Sequence, residues 1–156
     1  LLQRRINGNG GLEFVMELKF TIRGEPKGKG RPKFSRQGNM VRTYTPDTTA
    51  NYENYVKMEY WNQCGQRMFA KGVQLDMRLT AYFAIPASTS KKRQQLMRDK
   101  VIRPTKKPDM DNIIKVIADA LNGIAYYDDS QIVDTAVRKF YSDEPRVVVK
   151  ISEVES

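Results

Sequence analysis

The chain has 156 residues, 40% of them hydrophobic, with a net charge of +9, one cysteine and no histidine. That is enough for one domain with its own core, and no apolar run approaches the ~18–20 residues of a membrane span. The composition excludes a disulfide framework, a zinc site and a histidine general base. Any metal site must be built from oxygen ligands, which favours Mg²⁺, Mn²⁺ or Ca²⁺.

Residues 1–15, "LLQRRINGNGGLEFV", are expected to be a flexible extension foreign to the domain: "NGNGG" is turn-rich, and Met16 reads as a natural start. The domain is then 16–156. "ELKFTIR" (17–23) alternates Leu18, Phe20 and Ile22 with polar residues and predicts a strand. "GEPKGKGRPKFSRQGN" (24–39) predicts a loop. A helix follows within 45–69, with Tyr52, Tyr55, Val56 and Cys64 on its buried side, then a second alternating strand at 73–86 and a basic helix at 88–100. "DNIIKVIADALNG" (111–123) is the clearest helix, with Ile113, Ile114, Ile117 and Leu121 on one face and Gly123 as its stop. Two strands, 131–142 and 146–154, close the chain around a turn at "DEP". The order β-α-β-α-α-β-β predicts a single α+β domain, a mixed sheet of about four strands with helices packed against it. No secretion signal is expected from residues 1–15, and the lone Cys64 fits a reducing cytoplasm, the expected location.

Charge is unevenly spread. Residues 1–107 carry 22 Lys/Arg against 8 Asp/Glu, whereas residues 108–134 carry 1 lysine against 6 aspartates. A basic body suits a polyanion, most simply nucleic acid. Two stretches are dense enough to hold its backbone: "KGKGRPKFSR", offering Lys27, Lys29, Arg31 and Lys33, and "KKRQQLMRDKVIRPTKK", ending in Lys106 and Lys107. The acidic segment would repel a phosphate backbone unless cations bind there.

That segment opens with "KKPDMDN" (106–112). Pro108 disfavours helical geometry at Lys107, so the chain arrives extended, and residues two apart then point to one side. Asp109 and Asp111 could thus converge. At ~4 Å two carboxylates repel by about 1 kcal/mol in water and about 4 at an effective dielectric of 20, a sign that a divalent cation reverses. The plainer alternative is an aspartate capping a helix and suiting its dipole. Asp111, Lys115 and Asp119 follow at i, i+4 spacing, either as a solvated salt-bridge ladder or with Lys115 as the cation beside a metal and a scissile phosphate. Asp128 and Asp129 read as a turn that could return toward the same helix face. An EF-hand is excluded because Ile113 and Ile114 occupy the places of a ligand and a glycine. "GEPKGKG" lacks the ending of a phosphate-binding Walker motif.

The stretch "KPDMDNIIKVIADALNGIAYYDDSQIVD" (107–134) resembles the signature of the RusA family of Holliday junction resolvases. These are small, dimeric, Mg²⁺-dependent endonucleases of bacteria, their phages and prophages, acting in DNA recombination and repair. The resemblance implies a RusA-like domain over 16–156. It implies a catalytic set of Asp109, Asp111, Asp129 and Lys115, with Mg²⁺ (or Mn²⁺ in its place) on the three aspartates and Asp128 a neighbour of less defined role. It also implies a homodimer acting on four-way DNA junctions. Some members carry a Pro/Ser/Asn-rich segment where this chain has "GEPKGKGRPKF". That departure leaves the metal chemistry intact and leaves junction selectivity open against flaps and forks. A DNA-binding protein whose aspartates only cap and solubilise is the non-catalytic alternative.

Overall fold

A computed structural model describes residues 2–30, 33–38, 40–44 and 47–154, with the backbone alone at 33–37, 40–44 and 47. The chain runs through β1 (Leu2–Ile6), β2 (Leu12–Arg23), β3 (Lys33–Gln37), β4 (Met40–Tyr44), α1 (Asp47–Cys64), β5 (Leu75–Ala84), α2 (Lys91–Arg98) and α3 (Met110–Leu121). A 3₁₀ turn (Asp129–Gln131), β6 (Ile132–Ser142) and β7 (Arg146–Glu153) complete it. Five strands form one mixed sheet in the order β1-β2-β7-β5-β6, and β3 and β4 form a separate hairpin.

Period-two alternation decides which face is buried. Leu18, Phe20 and Ile22 of β2, Leu75, Met77, Leu79, Ala81 and Phe83 of β5, and Val147, Val149 and Ile151 of β7 are all buried on one side. Against them lie Tyr52, Val56, Tyr60 and Cys64 of α1 and Ile113, Val116, Ile117, Ala120 and Leu121 of α3. Each large apolar side chain buried this way is worth about 1.5–3 kcal/mol, so this layer fixes where α3 sits. The other face carries Lys19, Arg78, Arg138 and Lys150 and stays open.

β5 pairs antiparallel with β7 and parallel with β6. A parallel pair needs a long crossover, and residues 85–131 supply it, carrying α2, α3 and the 3₁₀ turn from one strand to its neighbour. The acidic segment is therefore the second half of this crossover, after the basic stretch 91–107, and runs into β6.

The expected strands and helices lie where predicted, with three additions. Residues 2–6, expected to be part of a flexible extension, pair in antiparallel register with residues 12–16, since "NGNGG" serves as a hairpin turn: Asn7 accepts from Gly10 and Gly11 and donates to Gly11. The sheet thus has five strands where about four were expected. The predicted loop at 24–39 holds β3, whose partner β4 follows at 40–44. No described helix is long and apolar enough to cross a membrane.

Candidate active site

α3 turns its apolar side to the sheet and α1, leaving Asp111, Lys115, Asp119 and Asn122 on or near the opposite side. The helix begins one residue earlier than the sequence suggests. Asp109 is its N-cap, with extended backbone (φ −69°, ψ 157°), and Met110 is its first helical residue. The two aspartates therefore straddle the helix start and do not share one extended segment. The Asp109 side chain makes no capping hydrogen bond, so capping does not account for this residue. Its carbonyl accepts the first intrahelical bond, from Ile113 N–H at 3.1 Å. Asp111 is exposed in the first turn, where a carboxylate complements the helix dipole. The Lys107–Pro108 peptide bond leading in is cis.

The segment 26–30 lies across this helix start. Lys29 N–H donates to the Asn112 carbonyl at 3.1 Å. Gly28 fits so tightly that an added Cβ would sit 2.9 Å from both Asn112 Cβ and Pro108 Cβ. Between the two segments is a cleft of about 440 Å³ that brings Lys27 and Lys107 to Asp109. Lys29 has another task. Its ammonium pairs with Glu53 of α1 and lies 3.2 Å from Asp119 of α3. Burial opposes its charge, and the two carboxylates outweigh burial and raise its pKa. Lys29 thus braces α1 against α3, a contact not expected from the sequence, which suggested a phosphate contact for it. Arg31 lies outside the described residues, as does the side chain of Lys33. Lys106 is exposed and reaches over the Phe83 ring.

The Asp128–Asp129 turn is fastened to the far half of α3. The buried Tyr126 hydroxyl donates to the Ala118 carbonyl at 2.6 Å, and Asp129 N–H donates to Asn122 Oδ1 at 3.0 Å. Asp128 caps the 3₁₀ turn by accepting from Ser130 N–H, and Gln131 closes a capping box by accepting from Asp128 N–H. The buried Gln131 amide anchors the turn below, donating to the Ala70 and Val73 carbonyls at 3.0 and 3.1 Å. Asn122, expected on or near the polar side of α3, and Gln131, part of the D-D-x-Q of the quoted signature, hold this turn in place, a role the sequence did not assign to them.

This fastening gives the two aspartates different electrostatics. The Ser130 backbone N–H and the Asp129 carboxyl group hold Asp128 below the usual carboxylate range. Burial, then the hydrogen bond and charge of Asp128, then Asp119 raise Asp129, and Lys115 works in the opposite direction. Lys115 also lies 3.8 Å from Asp119. The structure thus brings Asp129, Asp128, Asp119 and Lys115 into one neighbourhood and sets Asp109 with Lys27 and Lys107 at the helix start. Asp111 and Asp119 are about 12 Å apart along the axis at 1.5 Å per residue. Among the described residues, no three acidic or cysteine side chains gather closely enough to hold an ion. The donors are all oxygens, which suits a hard cation. Mg²⁺ is commonly held through one or two carboxylates with water completing its shell.

Comparison with known proteins agrees with this reading of the fold. The family model "Endodeoxyribonuclease RusA" matches residues 23–152. The chain is 39% identical over 137 residues to the uncharacterized protein YqaN of Bacillus subtilis (strain 168), covering 88% of this chain and 96% of that protein. It is 27% identical over 139 residues to the crossover junction endodeoxyribonuclease rusA of Lactococcus phage r1t, covering 88% of this chain and 98% of that protein. A mixed sheet with helices packed on one face and a crossover helix between parallel strands defines a small α+β domain. The chain belongs to the RusA endodeoxyribonuclease family.

Proposed function

We propose that this protein is a Mg²⁺-dependent, structure-specific endodeoxyribonuclease that resolves four-way DNA junctions in recombination and repair, working in the cytoplasm as a homodimer. The observation that carries this reading is the polar side of α3. There Lys115 and Asp119 meet the Asp128–Asp129 turn, and Asp109 opens onto a cleft flanked by Lys27 and Lys107. The name of the phage relative supports the substrate.

Asp109 and Asp111 at the helix start and Asp129 at the far half of α3, with Asp128 beside Asp129, are the carboxylates assigned to one or two Mg²⁺ ions, with Mn²⁺ as a substitute. When bound, the ion supplies activation of a water nucleophile and stabilisation of the leaving oxygen, which meets the need for a base in a chain without histidine. The remaining steps belong to the side chains. Asn122 and Gln131 hold the Asp129 turn against α3. Lys115 offsets the mutual repulsion of Asp119 and Asp129 and stands ready for the charge that develops on the phosphate. Lys27, Lys106 and Lys107 neutralise the incoming backbone, and Lys29 keeps the 26–30 segment seated on α3. Two sites related by a two-fold axis deliver two symmetric cuts.

One cleavage assay comparing a four-way junction, a fork, a flap and linear duplex tests the substrate. Paired cuts on the junction at the highest rate are expected. Equal or faster cutting of forks or flaps would assign the domain to other branched DNA, and binding with no cutting of any of them would leave a non-catalytic DNA-binding protein.

A further inference from the structure

The side of the sheet turned away from the helices is built from the alternate residues of the same strands. Cross-strand partners set them in rows: Lys19, Lys150, Arg78 and Ala136, then Thr21, Val148, Thr80 and Arg138, then Arg23, Arg146, Tyr82 and Phe140. Glu17, Ser152, Asp76 and Asp134 form the row beyond Lys19. Lys19, Arg23, Arg78 and Arg138 are exposed, and Lys150 and Arg146 are half-buried. From strand spacing and rise, the basic patch measures roughly 14 Å from β2 to β6 and about 13 Å from Arg146 to Lys150. The acidic row offsets part of its charge, since Lys150 pairs with Glu17 at 3.6 Å and Arg78 with Asp76 at 3.2 Å. Among the described residues, no carboxylate forms an ion pair with Lys19, Arg23, Arg138 or Arg146.

The chemistry of the patch selects its occupant. Its aromatic rings serve as seats for more cations: Arg146 lies 4.0 Å from the centre of the Tyr82 ring, and Arg103 and Lys100 lie 4.4 and 4.9 Å from that of Phe140. The face therefore offers positive charge in place of an apolar surface. A second copy seated on it by a two-fold axis would set cation against cation. A row of phosphates meets the charge directly. We propose that this open sheet face is a second DNA-binding surface, holding the phosphate backbone of a duplex segment beyond the strand at the candidate site. α3 packs on the other side of the sheet with its polar side turned away from it, so the two surfaces face in opposite directions. One strand of a duplex carries a charge every ~3.4 Å of axis, and roughly four of its phosphates run the length of the patch. The inference rests on the DNA-binding part of the reading above and asks nothing of the aspartates.

The test is a footprint on the full chain. Thr80 lies in the middle of the face, and Thr80→Cys places there a thiol that a maleimide can label, while the natural Cys64 is buried. A synthetic four-way junction in EDTA, present at about ten times its Kd, should slow that labelling about tenfold, as mass action requires of a covered site. Lys19→Gln and Arg138→Gln should each lower the slope of log K against log[salt] for the junction by about 1, and the double variant by about 2. Their cutting rate at saturating junction in Mg²⁺ should stay that of the wild type. If Thr80→Cys does not fold, the two slopes decide. Labelling at one rate with and without junction, or unaltered slopes where they decide, overturns the second surface while leaving the nuclease reading standing. Labelling that is slow without DNA and quickens on dilution to monomers assigns the face to a second copy and overturns it too. Protection and lowered slopes in a chain that cuts no DNA uphold the surface and remove the nuclease reading.

Discussion

The Asp129 backbone N–H donates to the Asn122 side-chain oxygen at 3.0 Å, joining the C-cap of α3 to the aspartate turn seven residues later. Losing it should release Asp129 from Lys115 and Asp119 without touching the core. Asn122→Ala is expected to cost about 1 kcal/mol in urea unfolding and to lower junction cleavage at least roughly tenfold, given how steeply catalysis depends on placement. Equal cleavage would show that the turn is held by Tyr126 and Gln131 alone.

Lys29 and Lys107 should separate in their salt dependence. Lys29 is engaged with Glu53 and Asp119, so Lys29→Met should destabilise the fold by about 1–3 kcal/mol, the cost of leaving partly buried charges unpaired. It should leave the slope of log K against log[salt] unchanged. Lys107→Met should do the reverse, reducing that slope by about 1 for the loss of one phosphate contact while barely altering stability. Measuring affinity for uncut junction across a salt series checks both.

Gly28→Ala tests the seating of the 26–30 segment. An added Cβ would come within 2.9 Å of two carbons, on Asn112 and Pro108, so the segment must lift from α3. A cost of about 1–3 kcal/mol is expected from overpacking, with weakened junction binding as Lys27 moves away from Asp109. Unaltered affinity in a gel-shift titration would mean that this cleft does not hold DNA.

Cys64 is buried and free, and burial pushes its thiol above the ordinary range. A raised pKa leaves less thiolate at any pH below it, so at pH 8 the folded chain should react with a disulfide reagent at least roughly tenfold more slowly than the chain in urea. Raising the pH should increase the folded rate. Fast labelling of the folded protein would place Cys64 at the surface.

The sequence made the local elements legible because period and burial coincide there. Ile113, Ile117 and Leu121 mark the buried side of α3, and Leu75, Met77 and Leu79 mark the core face of β5 with equal clarity. Pairing was not legible, because no residue in β5 records that Leu79 faces Val137 on one side and Val149 on the other. Partnership hid the same way. Lys29 reads as one more cation in a basic stretch until Glu53, 24 residues on, and Asp119, 90 residues on, come beside it. Lys139 reads as an ordinary strand lysine until the chain leading to α3 folds over it. The aspartates were legible as a pattern, while their division between the start and the far half of one helix depends on where the 126–131 turn is fastened.

Asp111 offers the most direct test of the central claim, that these aspartates hold a catalytic cation. The measurement is cleavage and binding of a synthetic four-way junction by the wild type and Asp111→Asn across a Mg²⁺ series, with an EDTA control. Mg²⁺-dependent paired cutting by the wild type, abolished by EDTA, is expected. Asp111→Asn should lose cutting by at least roughly 10²-fold, the scale on which catalytic electrostatics act, and should bind the junction as tightly as wild type or more tightly, since one repelling charge is gone. Wild-type cutting by Asp111→Asn, or cutting undiminished in EDTA, would contradict it.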